Sequence, residues 1–271
     1  MMNEEKVYTK QEIFAQLEEL KAPVGSIVLM HSSLRSVGTV EGGAKGLLDA
    51  LIEYFTREGG LFCVPAHTWN NIGKEITLDM STAQTCLGAF SRIAVEDQRG
   101  LRSENPTHSM VIFGDRARAE RFAEHEADIL TPTAPESCYG KLFSEDGYVL
   151  LVGVSQSRNT YLHSVAEVLQ LPDRMAEKPI KAAVRRKSGE VVSRDLTLYH
   201  TSFSRDISQR FIKYDTAFRY RRCITDGFIG NAPTQLCSAR RMLETVKLIF
   251  ESSGGIDPLA DESPIPQKWY C

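Results

Sequence analysis

The chain has 271 residues, of which 42% are hydrophobic and 25% charged, and its net charge is −3. That length suits one α/β domain with an elaboration, and the ordinary composition excludes a disordered or low-complexity protein. The charge supplies no basic field for nucleic acid or an anionic membrane, and no apolar run reaches the ~20 residues of a bilayer span.

Met1 to Lys21 is charged and helix-patterned, so no secretory signal is expected. Within it, Lys10 to Lys21 places Ile13, Phe14, Leu17 and Leu20 on one stripe, with Thr9 as N-cap. Ser26 to Met30 reads as a short buried strand ending at His31-Ser32-Ser33-Leu34. A loop with Gly38, Gly42 and Gly43 leads to a helix over Ala44 to Arg57, and Leu61 to Val64 forms the next strand, running into Pro65-Ala66-His67-Thr68-Trp69. This βαβ pattern predicts parallel strands and a right-handed crossover.

Trp69 to Gln84 has no period and reads as an excursion over the active face. Leu87 to Val95 is helical in pattern, Ser109 to Phe113 a strand, Arg116 to Glu126 a charged helix, and Ser137 the cap of another. Tyr148 to Val154 is a buried strand whose polar loop opens the helix Asn159 to Glu167. Ile180 to Val184 and Val191 to Leu198 flank Ser188-Gly189, a hairpin signal. Pro233 to Glu251 is patterned as a long helix, and the tail from about Gly254 as extended. The fold class expected is α/β, with a mixed, largely parallel central sheet flanked by helices and a C-terminal antiparallel addition, forming a single domain over 1–271.

In open α/β sheets ligands sit beyond the carboxyl ends of strands. Those ends carry His31-Ser32-Ser33, His67-Thr68 and the Ser155-to-His163 segment. Thr107-His108-Ser109 instead leads into its strand, so it reaches the same face only if that strand is antiparallel or its loop folds over. His163 and Glu167 lie four residues apart on one helix face, a pairing suited to acid–base work. Gly42-Gly43 before a helix offers free N–H groups for an anion, with Ser32, Ser33 and Ser36 as nearby hydroxyl donors. Lys45 is not followed by Ser or Thr, so this is not a P-loop. His125 and His200 read as surface histidines. The dispersed histidines form no HxH or HExxH pair, and no metal is expected. Six cysteines without a CxxC pair point away from zinc and disulfides and toward a cytoplasmic location.

His31-Ser32-Ser33-Leu34 with Gly42-Gly43, then Arg102-Ser103-Glu104-Asn105-Pro106-Thr107-His108-Ser109, then Leu150-Leu151-Val152-Gly153-Val154 and Asn159-Thr160-Tyr161-Leu162-His163, resemble the aminoglycoside 3-N-acetyltransferase family in order. The resemblance implies an α/β fold, acetyl-CoA as donor and an amine as acceptor. It assigns Ser32, Ser33 and Leu34 and the loop Val40 to Gly43 to CoA, with His31 and Ser36 beside them. It makes His163 the general base and His108-Ser109 a second pair beside the donor; Glu167 is the nearest candidate in sequence to orient the base, with Glu136 or a C-terminal acid as the alternatives. Asn105 stands where many members of the subgroup carry histidine. An aminoglycoside is a polycation and calls for carboxylates, for which Glu75, Asp79, Glu136 and Glu167 are the candidates. The partners expected are a small-molecule amine, an aminoglycoside or another, and neither nucleic acid nor membrane; a homo-oligomer is compatible with the reading. The alternatives are a Ser-His or Cys-His amidase or thioesterase, and a non-catalytic CoA-binding protein of the same fold.

Overall fold

The computed structural model describes residues 6–200 and 207–271. In chain order the first half forms β1 (Val7–Tyr8), α1 (Lys10–Glu19), β2 (Ile27–Ser32), α2 (Leu34–Val37), β3 (Thr39–Val40), α3 (Gly43–Phe55), β4 (Leu61–Pro65), β5 (Leu78–Asp79), α4 (Ala89–Glu96), β6 (Leu101–Arg102), β7 (Met110–Gly114) and α5 (Arg116–Ala123). The second half forms α6 (Cys138–Ser144), β8 (Tyr148–Val152), α7 (Tyr161–Val168), β9 (Ile180–Arg185), β10 (Val191–Leu196), α8 (Asp215–Tyr220), β11 (Ile224–Ile229), β12 (Ala232–Ser238) and α9 (Ala239–Ser252). Local chemistry sets several boundaries as expected. Thr9 accepts from the Glu12 N–H while Glu12 bonds back to the Thr9 N–H, a reciprocal cap that starts α1. Ser137 caps α6.

The large sheet has the strand order β11-β12-β8-β2-β4-β7-β6. Alternating residues of its strands feed two cores. Ile27, Leu29, Cys63, Ile112, Val149 and Leu151 face α6, α7 and α9. Val28, Met30, Val64, Val111, Leu150 and Val152 face α1, α3 and α4. The mixed α/β sheet matches the expectation, but its balance does not. Only β2–β4 and β2–β8 are parallel, and the other four pairings are antiparallel. The reason is that the chain leaving β4 returns in the opposite direction as β7, without a helical crossover to a parallel strand.

A second correction concerns Pro233. The expected helix begins only at Ala239, because Ile229-Gly230-Asn231-Ala232 is a tight hairpin turn with Gly230 at φ 58°. Leu236 and Cys237 then enter opposite cores, the period-2 mark of a strand, and Ser238 caps α9. The expected Ser188-Gly189 hairpin is present as β9–β10, but it joins β5 of the excursion in a separate three-stranded sheet. The C-terminal tail is not simply extended. Leu259, Ile265 and Tyr270 are buried in the first core, and Arg174 clamps the tail through two bonds to Asp257 at 2.8 and 2.6 Å. No helix among the described residues is long and apolar enough to cross a membrane.

Candidate active site

Beyond the carboxyl ends of β2, β4 and β8 lies a cavity of about 850 Å³. Its wall includes His31, Ser32, Ser33 and Leu34 from β2 and α2, and Asn159, Thr160 and His163 from the start of α7. Because β7 runs antiparallel to β4, its beginning lies at this same end, and His108 joins the wall. The ladder continues past the strands: Ala66 N–H donates to Ser109 at 2.7 Å and Thr68 N–H to Thr107 at 2.9 Å. His67 and His108 therefore sit directly opposite one another, with ring centroids 4.5 Å apart.

The turn that delivers His108 is built by Asn105. Its side-chain oxygen accepts from the N–H groups of Thr107 and His108, at 3.2 and 2.8 Å, and its amide donates to Pro132 O at 2.8 Å. Behind it, Ser103 accepts from Met110 N–H and donates to the buried Glu126 carboxylate, which also receives the Cys138 N–H. Much of the Arg102–Ser109 motif thus shapes the wall. Ser109 belongs to this framework: it is buried, donates to Ala66 O at 2.7 Å and accepts from Arg102.

His163 reaches the cavity from the first turn of α7. Its ring stacks on Tyr199 at 4.1 Å and meets Phe211 edge-on at 4.9 Å. Glu167 is held by the Thr131 hydroxyl and by the N–H and hydroxyl of Thr133, and Thr133 in turn bonds the Tyr199 hydroxyl. Glu167 is thereby linked to the His163 ring through Tyr199, against which that ring packs. Burial raises the Glu167 carboxyl above its usual range, and those donors oppose the rise.

Three imidazoles around His163, those of His31, His67 and His108, are held neutral. Burial pushes His31 and His108 down to about 3, and the neighbouring His163 adds to the effect on His108. His67 lies well below its ordinary value, first through burial and then through the His108, His31 and His163 rings and Arg102; its Nε2 is 2.7 Å from the Tyr139 hydroxyl. The buried His31 Nε2 has no partner within the described structure, so a ligand in the cavity has a polar atom to satisfy.

This arrangement makes a pH prediction. An unfolded His31 gains its proton near pH 6.5, the folded one only near 3. Below 6.5 the unfolded state binds more protons, so stability falls by up to about 1.4 kcal/mol per pH unit for this group; above 6.5 it adds no pH dependence. Thermal melts from pH 7 to 5 should show a falling midpoint, with a shallower slope in His31→Asn. An equal slope in that variant would assign the acid lability to other groups.

Of the residues proposed from sequence, His31, Ser32, Ser33, Leu34, His108 and His163 converge on the cavity. Ser36 stands behind the wall and donates to the Ser33 hydroxyl at 3.0 Å. Val40 is buried in the second core. Gly42 and Gly43 open α3 at an exposed turn away from the described wall, and both have positive φ. Sequence reasoning missed Tyr199, which comes from the connection after β10, and read His200 as a surface residue although it lines the cavity. The excursion supplied a usable signal, since its Trp69 and Ile72 do reach the wall.

The family model described as aminoglycoside 3-N-acetyltransferase matches residues 29–251. A SPbeta prophage-derived aminoglycoside N(3')-acetyltransferase-like protein, YokD of Bacillus subtilis (strain 168), is 30% identical over 57% of this chain and 63% of its own length. Aminoglycoside N(3)-acetyltransferase IV of Salmonella sp is 27% identical over 95% of this chain and 97% of its own. The apoenzyme crystal structure of aminoglycoside acetyltransferase AAC(3)-IVa superposes with a TM-score of 0.76 at 26% identity, covering 95% of this chain and 92% of that one. A histidine-to-alanine mutant of that enzyme in complex with apramycin gives a TM-score of 0.74 at 25% identity, covering 97% and 99%. With that match across most of its length, the chain belongs to the aminoglycoside 3-N-acetyltransferase family, whose members are acetyl-CoA-dependent acyltransferases.

Proposed function

We propose that this protein transfers the acetyl group of acetyl-CoA directly to an amine of a small molecule, an aminoglycoside or a related amine, with His163 as general base. The observation that carries the reading is the meeting of the His31–Leu34 segment and His163 in one cavity at the strand ends. The unpartnered His31 Nε2 and the Ser32 and Ser33 side chains suit the polar parts of a CoA donor. His163 would take the proton of the attacking ammonium. The amine nitrogen then bonds the thioester carbon, the C–S bond breaks to release CoA as thiolate, and the second proton of the acylated nitrogen passes to that thiolate, leaving the amide and the CoA thiol. Ser109, a candidate donor to the oxyanion, already gives its proton to Ala66 O. Thr160, which lines the cavity, is better placed for that role.

The covalent alternative gains nothing from the cysteines. Cys63 and Cys138 are buried, and burial raises both thiols, which opposes the thiolate an acyl-enzyme requires. The test follows thiol release from acetyl-CoA against a panel of aminoglycosides and simple amines. Acetyl-CoA itself should raise the melting temperature, by about 2.7 kcal/mol of stability at a hundredfold excess over its Kd. Ser33→Trp, which fills the wall, should abolish that shift. Equal CoA binding by this variant would remove the His31–Leu34 segment from the donor site, and a stable acetyl-protein adduct by mass spectrometry would replace direct transfer with a covalent route.

A further inference from the structure

Tyr199 touches two of the imidazoles at the cavity. One face lies on the His163 ring, with centroids 4.1 Å apart and planes only 15° from parallel. The His108 ring meets it in a T at 5.8 Å. The Tyr199 hydroxyl bonds that of Thr133, and the direction of this bond follows from counting protons. Glu167 Oε1 receives the Thr133 N–H at 3.1 Å and the Thr133 hydroxyl at 2.6 Å, and Oε2 receives the Thr131 hydroxyl. Donors converging on both oxygens suit an ionised carboxylate. A threonine hydroxyl has one proton, and that of Thr133 goes to Glu167, so Tyr199 is the donor in its own bond to Thr133. The chain runs from the Tyr199 hydroxyl through Thr133 to the Glu167 carboxylate. Burial first, and then the Glu167 charge, hold the Tyr199 hydroxyl well above its ordinary pKa, so the ring remains a phenol. Glu136, the other acid numbered among the sequence candidates, is exposed.

Resting on the reading of His163 as general base, we infer that Tyr199 is a positioning residue: its ring is the platform that favours the imidazolium form of His163, and Glu167 acts on the base through that ring. An aromatic face attracts a cation within about 6 Å of its centroid, most strongly where water is excluded. His163 becomes such a cation when it takes the ammonium proton, and the neutral imidazole gains less from the same stack. A phenol whose hydroxyl donates toward an anion carries more negative charge on its ring, which strengthens the attraction. The stack also fixes the plane of the His163 ring at the cavity wall. Among the described residues, the fields of His67 and His108 reach His163 from the β4–β7 end. His31, His200, Arg35 and Arg158 stand on the same wall. These groups are common to every variant below and cancel in the comparison.

The test titrates the full chain with carbon-13-labelled histidine by NMR, the His163 ring signal being identified by its loss in His163→Ala. Its midpoint should fall by about 0.5–1 pH unit in Tyr199→Leu. Tyr199→Phe keeps the face and loses the donor, so it should fall by about half as much, and it carries the test if the leucine variant does not fold. Glu167→Gln should match Tyr199→Phe and add nothing further in a Tyr199→Phe background. Additive shifts would mean that Glu167 reaches His163 without the ring, and an unmoved midpoint in the Tyr199 variants would mean that the ring only packs; either overturns the inference. Thiol release with the amine panel above keeps the two readings apart. Parent-like turnover by His163→Ala would defeat the base assignment, whereas loss of turnover there with an unmoved titration in the Tyr199 variants would defeat only the platform.

Discussion

Replacing His163 by alanine is expected to lower turnover by roughly 10²–10⁴-fold, the loss attributed to removal of a general base, with acetyl-CoA binding retained. The neighbouring imidazoles are poor substitutes. His108, held at about 3, is too weak a base to keep an amine proton, and His67 is buried against Tyr139. The fold should survive, because α7 keeps Leu162, Val165 and Ala166 in the core. Loss of the stacked Tyr199 contact should cost about 0.5–1.5 kcal/mol. Steady-state rates across pH provide the check: the parent has an ascending limb from ionisation of the base, and the variant lacks it. His108→Ala is the comparison. Should it lose that limb while His163→Ala keeps it, the base is His108.

The largest stability effect is expected at Arg174. Its guanidinium and the Asp257 carboxylate are 4% and 11% exposed, and they make two parallel bonds that pin the C-terminal tail. Arg174→Ala strands a buried carboxylate and should cost about 3–5 kcal/mol. Arg174→Met with Asp257→Leu removes both charges and should recover part of that loss. Urea denaturation of Arg174→Ala, of Arg174→Met and Asp257→Leu singly, and of the double variant measures the difference. Strict additivity would mean that the pair does not act as a unit. Because the Arg174 carbonyl also accepts the His200 N–H at 2.7 Å, the single variant should loosen the cavity wall as well.

Legibility in the sequence followed the range of the interaction. Helix starts set by a few neighbouring atoms, at Thr9 and Ser137, were readable, as were the apolar strands β2, β4 and β8 with polar residues at their ends. Strand direction was not, because β7 is fixed by pairing with β4 across a long excursion, and sequence offered only the condition under which His108 would reach the site. Leu236 to Ala239 satisfied helical spacing, but the Gly230-Asn231 turn and the edge of β8 made its first part a strand. Within the candidate site, His31 and His163 were marked by their elements. Tyr199 carried no local signal; only the docking of the β9–β10 sheet brings it against His163.

The register between β4 and β7 has a bearing on how specificity can change. His67 leaves one strand and His108 enters the other at opposed positions, and the sheet pins both ends of the intervening chain. The stretch between them, which includes the Trp69 and Ile72 mouth, is thus a closed cassette. Its excursion from Trp69 to Gln84 can be rewritten while the strand pairing and the Asn105 turn hold the two imidazoles, so the mouth of the cavity can vary while the histidines stay fixed.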